Sequence, residues 1–366
     1  MANTDIALIK KNNIKRLKDL SPEVLLIFPD SITKAWLSIW EPYLLSMPYK
    51  YAVIANNHDN KDISTIKSPL FFSKEGITIS QLLKIKSLKV FLYPTNRPNN
   101  FGYLNKFPHI QHIFIGHGDS DKLSSSSRFS TVYDFLFVAD NKAHLRYAYR
   151  GVNIPFERFI TIGAPVTPGL SVCINRNNNI KNILYAPTSE GKASDSNFSS
   201  LFVFDAIHEL SLLSKSFEID FRPHPGMGER LEAYKKLKAQ LVEKFSKKLS
   251  KEKAYNQADI IICDISGVMS EFLFTNKPII VPYDKDSKLV MNAIENSEFK
   301  EYVYLWDVQR QSLSDLIKSI EKEDPLFDTR LKYRNEKFFS STSFEESVNF
   351  FNKAIQFTLL KSQIMK

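Results

Sequence analysis

Short apolar runs recur along this chain, and segments with helical spacing fill most of the gaps between them. The runs are Val24–Phe28, Tyr51–Ala55, Lys89–Tyr93, His112–Ile115, Phe135–Ala139 and Phe159–Ile162, followed by Asn182–Ala186, Phe217–Arg222, Asp259–Cys263, Pro278–Pro282 and Tyr302–Trp306. Several are nearly continuous Val, Ile, Leu and Phe. A strand with one wet face alternates apolar and polar residues, so an unbroken apolar run marks a parallel strand covered on both sides. Segments such as Lys34–Leu45, Ile79–Ile85, Lys142–Tyr149 and Ser199–Leu213 have the length and spacing of helices that supply the cover. The alternation predicts an α/β fold of doubly wound parallel sheets.

A chain of 366 residues is long for one such core and suits two domains. The stretch "TPGLSVCINRNNNIKN", residues 167–182, is polar and without period, and six runs precede it while five follow. We therefore expect two Rossmann-like domains facing a cleft, over residues 1–168 and 178–366. The last helical stretch, Ser343–Leu360, either closes the second domain or crosses back onto the first.

Several classes are excluded at this level. No apolar run approaches the ~20 residues of a membrane-spanning helix, and the first twenty residues lack the apolar core of a signal peptide. Cys173 and Cys263 are far apart and form no metal-ligand spacing. These features predict a cytoplasmic protein. The net charge of +9 invites an anionic partner. Much of it lies in Lys10–Lys18 and in residues 234–253, where Leu231, Tyr234, Leu237, Leu241, Phe245 and Leu249 form one helical stripe with lysines on its wet side. A solvated helix face explains such lysines, and attraction to an anionic membrane surface is the rival explanation. The basic segments lack interleaved aromatics, which speaks against nucleic acid.

Ligands of open α/β sheets bind at the carboxyl ends of strands, and four strand-end loops carry chemistry. In "FIGHGDSDK", residues 114–122, Gly116 and Gly118 flank His117, which can take a proton from a hydroxyl near neutral pH, and Lys122 follows within reach of a phosphate. A turn histidine bonded to backbone would look the same. In "IDFRPHPG", residues 219–226, two prolines restrict the backbone around His224 beside Arg222, a pairing suited to phosphate. In "CDISGVMSEF", residues 263–272, Asp264 or Ser266 reads as a helix N-cap, leaving backbone N–H groups for an anion, with Gly267 and Glu271 following. Capping alone accounts for Ser266 equally well. In "ILYAPTSEG", residues 183–191, Thr188 offers a hydroxyl where ordinary turn chemistry would also place one. Walker, zincin and nucleophile-elbow motifs are absent.

The order and spacing of these pieces resemble the CDP-glycerol glycerophosphotransferase family, which includes teichoic-acid and capsule polymerases. The resemblance spans roughly Gln111 to Tyr283. It rests on H-G-x-x-x-K at His117, Gly118 and Lys122, Y-x-P-T at Tyr185–Thr188, the His224-Pro225 pair, and Asp264-Ile265-Ser266 followed by Glu271-Phe272. It implies a GT-B fold and transfer of glycerol phosphate, or a similar alditol phosphate, from a CDP-alditol to a hydroxyl acceptor, lipid-linked or polymeric, with release of CMP. His117 and His224 would be catalytic: His117 the base, His224 on the donor's phosphates. Gly118, Lys122, Thr188, Arg222, Asp264, Ser266, Gly267 and Glu271 would bind substrate. No tightly bound cofactor is expected, and Mg2+ would come only with the nucleotide. Location would be cytoplasmic, peripheral on the inner membrane face. Two departures stand out: Gly267 replaces the family's second serine, and Ser189-Glu190 follow Pro-Thr where relatives often carry a basic or aromatic residue. A GT-B glycosyltransferase using a nucleotide sugar is the rival reading.

Overall fold

A computed structural model describes residues 3–32, 34–58, 65–116, 126–191 and 197–364. The chain divides into two compact units, one of residues 1–165 and 345–366, the other of residues 166–344.

The first unit holds a seven-stranded sheet of β1 (Val24–Ile32), β2 (Tyr51–His58), β3 (Leu70–Phe72), β4 (Val90–Tyr93), β5 (Gln111–Phe114), β6 (Phe135–Val138) and β7 (Phe159–Thr161), in the order β3-β2-β1-β4-β5-β6-β7. The second holds β8 (Asn182–Ala186), β9 (Glu218–Phe221), β10 (Ile260–Cys263), β11 (Ile279–Tyr283) and β12 (Tyr304–Asp307), in the order β12-β11-β10-β8-β9. Every pairing is parallel. The apolar runs behave as their composition requires: Val24 to Phe28 and Ile260 to Cys263 are all buried, so neither face of these strands meets water. The added strand is β3, whose three residues Leu-Phe-Phe are too few to carry a period.

The helix Lys34–Leu45 spans its expected range. The Ser199–Leu213 segment becomes a tight turn, Ser200–Phe202, and a helix, Ala206–Leu213, because Asp205 caps the second piece by accepting the His208 N–H at 3.0 Å. The stripe expected from Leu231 to Leu249 also divides. Its helix runs Glu232–Phe245 and buries Tyr234, Leu241 and Phe245, while Leu231 is 49% exposed. Lys247 then donates its N–H to Asp220 at 2.8 Å, Lys248 takes φ of 52°, and Ser250 caps a separate helix, Lys251–Gln257.

The domain limits expected from sequence are corrected at both ends. The second unit begins at Val166 rather than residue 178, because the irregular stretch is fastened to it. Cys173 N–H bonds to the Thr275 carbonyl at 2.8 Å, Asn256 reaches the Gly169 carbonyl at 2.7 Å, and the Asp259 carboxylate gathers the N–H groups of Lys181 and Asn182. The second unit ends at Phe344, and the final helix, Phe344–Ile364, lies with the first. Phe351 packs its ring against Trp40 and Tyr43, with centroids 5.6 and 5.4 Å apart, and the Tyr43 hydroxyl bonds Ser347 at 2.7 Å. These apolar groups of the helix Lys34–Leu45 would otherwise face water.

Candidate active site

In the second sheet the chain leaves β8 towards β9 and later returns on the other side of β8 as β10. Strand order therefore reverses between β8 and β10, the position at which open α/β sheets bind ligands beyond the carboxyl ends of their strands. Thr188 follows β8, His224 follows β9, and Asp264 and Ser266 follow β10. Parallel pairing of these adjacent strands sets all four on one edge of the sheet.

Backbone bonds lace the three loops together. The His224 N–H donates to the Pro187 carbonyl at 3.3 Å, and the Asp264 carboxylate accepts the Thr188 N–H at 2.6 Å and the Ser200 N–H at 3.1 Å. Asp264 is 1% exposed. Expected among the substrate-binding residues, it instead turns both oxygens to protein N–H groups. Its carboxylate ties the loop after β8, and Ser200 beyond it, to the loop after β10.

His224 itself is exposed. Its Nδ1 accepts the Gly226 N–H at 3.0 Å, so the neutral ring carries its proton on Nε2. Arg222 is half-buried and gives Nη1 to the Leu249 carbonyl at 2.9 Å, which ties its guanidinium to the turn after the lysine-rich helix. Thr188 is half-buried, and its carbonyl receives the Ser199 hydroxyl at 2.9 Å.

Ser266 occupies the N-cap position of the short helix Gly267–Phe272, with φ −157° and ψ 173°, yet its side chain makes no capping bond. Its Oγ is buried without a hydrogen-bond partner. A hydroxyl that neither caps nor bonds is a cost to the fold, and it leaves its hydrogen-bonding capacity open at the start of this helix. At Gly267 a Cβ would meet nothing within 4 Å, so the glycine leaves open space at the start of this helix. Glu271, also expected to bind substrate, faces protein: Lys251 Nζ lies 3.1 Å from Oε2 and the Tyr255 hydroxyl donates to the same atom at 3.3 Å.

One contributor escaped sequence reasoning. Glu190, noted only as a departure after Pro-Thr, is 4% exposed and accepts three backbone N–H groups, from Gly228 at 3.1 Å, Arg230 at 3.0 Å and Leu231 at 3.3 Å. Burial pushes its pKa up, but these bonds, with that of its own N–H, outweigh burial and hold the carboxyl below its usual range. The only sequence signal was an acidic residue inside an apolar and turn-forming stretch.

His117, Gly118 and Lys122 lie outside the described residues. The approach to them is described. β5 ends at Phe114, Ile115 N–H bonds the Tyr93 carbonyl at 3.0 Å, and Gly116 takes φ of 64° while its carbonyl accepts the Trp40 indole N–H at 2.7 Å. This places the start of that loop at the carboxyl edge of the first sheet.

Among the described residues no group of three His, Cys, Asp or Glu side chains is arranged to hold a metal ion, and no helix is long and apolar enough to cross a membrane.

Comparison with known proteins bears on this geometry. The wall teichoic acid polymerase TagF has a similar structure, with 14% identity, a TM-score of 0.59, and 100% of both chains covered. A TagF structure soaked with CDPG gives 14% identity and a TM-score of 0.56, again over 100% of both chains. UDP-GlcNAc 2-epimerase from Neisseria meningitidis, bound to UDP-GlcNAc, gives 14% identity and a TM-score of 0.57, covering 92% of this chain and 99% of that one. At these identities the likeness speaks for the fold, which is of the GT-B type. No curated protein matches the sequence. The family described as CDP-glycerol:poly(glycerophosphate) glycerophosphotransferase matches over residues 169–352, half of the chain. That span contains Thr188, Glu190, Arg222, His224 and the loop after β10, and begins beyond His117. The chain thus belongs to the CDP-glycerol:poly(glycerophosphate) glycerophosphotransferase family, a family of transferases.

Proposed function

We propose that the protein moves glycerol phosphate, or a closely similar alditol phosphate, from a CDP-alditol to a hydroxyl acceptor in cell-wall or capsule polymer synthesis. The acceptor oxygen attacks the β-phosphorus, the bond from that phosphorus to the bridging oxygen breaks, and CMP leaves. His117 takes the hydroxyl proton. His224, through its Nε2–H, meets the donor's phosphates together with Arg222, Lys122, Ser266, Thr188 and the open backbone at Gly267, while Gly118 lets the loop that carries His117 turn. Mg2+ enters, if required, with the nucleotide. The carrying observation is the unpartnered Ser266 hydroxyl beyond the carboxyl end of β10, one loop from the exposed His224, whose Nδ1 is held by the Gly226 N–H. These are neutral and cationic donors for an anion, and one oriented donor of this kind contributes about 3–4 kcal/mol to lowering a barrier.

The protein would act at the cytoplasmic face of a membrane, held to anionic lipid by Lys11, Lys15 and Lys18, which are exposed on the helix Asn3–Leu20. Pelleting with anionic but not neutral vesicles tests that attachment.

The reaction is tested by incubating the protein with CDP-glycerol, CDP-ribitol and UDP-, GDP- and CMP-sugars in the presence of crude lipid or polymer acceptor. Mass spectrometry identifies the nucleotide released. CMP from a CDP-alditol alone is expected. A nucleoside diphosphate from a nucleotide sugar would place attack at carbon and overturn the assignment. His117→Ala and His224→Ala should each lose most turnover while remaining folded.

A further inference from the structure

Beyond the residues that meet substrate, the loop after β8 carries an acid that the transfer does not use. Glu190 lies two residues past Thr188, and its carboxylate reaches across to the segment 226–231 after β9. Oε2 receives the Gly228 N–H, and Oε1 receives the N–H groups of Arg230 and Leu231. Leu231 is the N-cap of the helix Glu232–Phe245, so Oε1 also completes the first turn of a fourteen-residue helix, where a negative charge is favoured. Arg230 fastens the same two loops a second time, donating from its guanidinium to the Gly191 carbonyl.

This segment is what presents His224. The imidazole is fixed by the Gly226 N–H on Nδ1, and the His224 carbonyl accepts the Met227 N–H at 3.0 Å. Gly226 and Met227 are themselves held by the turn that Glu190 anchors at Gly228. That anchor has no slack: Gly228 takes φ of 80°, and a Cβ there would come within 2.7 Å of the Lys235 Cα. The backbone must therefore approach the helix closely, and the three N–H groups it turns inward require acceptors. A carboxylate supplies acceptors at both oxygens. A carboxamide supplies one and turns an NH2 group towards a backbone donor.

We propose that Glu190 is the positioning residue for His224: its carboxylate holds the 226–231 turn that keeps Nδ1 bonded to Gly226 and aims Nε2–H at the donor's phosphates. The kinetic half of this inference rests on the function proposed above, and the structural half does not.

The test uses the full chain and two readouts. In protein labelled with 15N at histidine, the wild-type His224 ring should show Nδ1 as the unprotonated, hydrogen-bonded nitrogen. Glu190→Gln should move that resonance towards tautomer exchange, and Glu190→Asp, which keeps the charge on a shorter arm, should fall between. An unchanged His224 signal in a folded Glu190→Gln protein overturns the proposal, and the Asp variant serves as the probe should the Gln variant fail to fold. With CDP-glycerol as donor, Glu190→Gln should lower kcat about tenfold with little change in KM, as expected when a catalytic group is displaced by a fraction of an ångström. In a His224→Ala background the same substitution should change kcat by less than about twofold, since the group it positions is gone. An equal loss in both backgrounds would mean that Glu190 acts on the fold and not through His224. Should His224→Ala retain full activity, the proposed function fails, and the resonance shift still decides the positioning role.

Discussion

At the scale of single residues, the loop after β10 separates groups that build the site from groups left for a ligand. Ser266→Ala removes a buried hydroxyl with no partner. It should leave thermal stability unchanged or slightly raised and lower kcat/KM for the proposed CDP-alditol donor, by calorimetry and steady-state kinetics. Asp264→Ala does the reverse chemistry. It strands two backbone N–H groups at about 1–3 kcal/mol each, so a clear fall in the unfolding midpoint is expected, and an unchanged midpoint would contradict the clamp. Gly267→Ser should alter stability by no more than about 0.5 kcal/mol because its Cβ enters open space. His112 gives a pH dependence. It is 4% exposed, and because its Nε2 faces the Phe107 carbonyl at 3.0 Å it must donate there, leaving Nδ1 to accept the Tyr93 hydroxyl at 2.8 Å. Burial, aided by His109, holds its pKa below the ordinary 6.5 against the opposing pull of Phe107 and Asp134. The unfolded chain then binds the proton more readily, so this group withdraws stability as pH falls below about 6.5. Denaturant midpoints measured from pH 7.5 down to 5.5 should decline, and less steeply in His112→Gln.

Elements were legible to different depths. Strands buried on both faces announce themselves, since Val24–Phe28 or Ile260–Cys263 leave no polar position to misread. Their carboxyl ends located Thr188, His224 and Ser266 with no further information. What stayed hidden depends on partners distant in sequence. Nothing local says that Asp264 closes on Thr188 and Ser200, or that Glu190 serves a loop nearly forty positions away. The lysine-rich segment is the clearest case. Its periodicity reads as one wet helix, but Lys238 reaches the Met227 carbonyl, Lys244 the Ser211 hydroxyl, Lys247 pairs with Glu218 and Lys251 with Glu271. Much of the charge that suggested an anionic surface is therefore turned to the protein's own acceptors. Lys11, Lys15 and Lys18 remain as the better candidates for lipid. A second hidden partnership anchors the helix Phe327–Lys337. Arg330, fully buried, donates from Nε to the Asn276 carbonyl at 3.0 Å and pairs with Asp324, which also accepts the Tyr304 hydroxyl at the start of β12. Asp324→Ala should cost about 3–5 kcal/mol by stranding a buried guanidinium, measured by equilibrium denaturation.

At the scale of the molecule, the second unit is an insertion in the first, bounded by Pro165 and Glu345. Two chain crossings join the units where a simple tandem has one. Ending the chain after Phe344 should therefore weaken the first unit, which loses residues 345–366, and spare the second, which keeps all of its residues. The transition of the first unit should drop as Trp40 and Tyr43 lose Phe351 and Ser347, while that of the second holds, a split that calorimetry resolves. The same arrangement fixes an order of events during synthesis. The second unit has all of its residues once Phe344 has been made, whereas the first, although translated earlier, lacks the helix that covers Trp40 and Tyr43. A nascent chain can thus assemble the unit carrying Thr188, His224 and Ser266 before residues 345–366 are available to cover Trp40 and Tyr43.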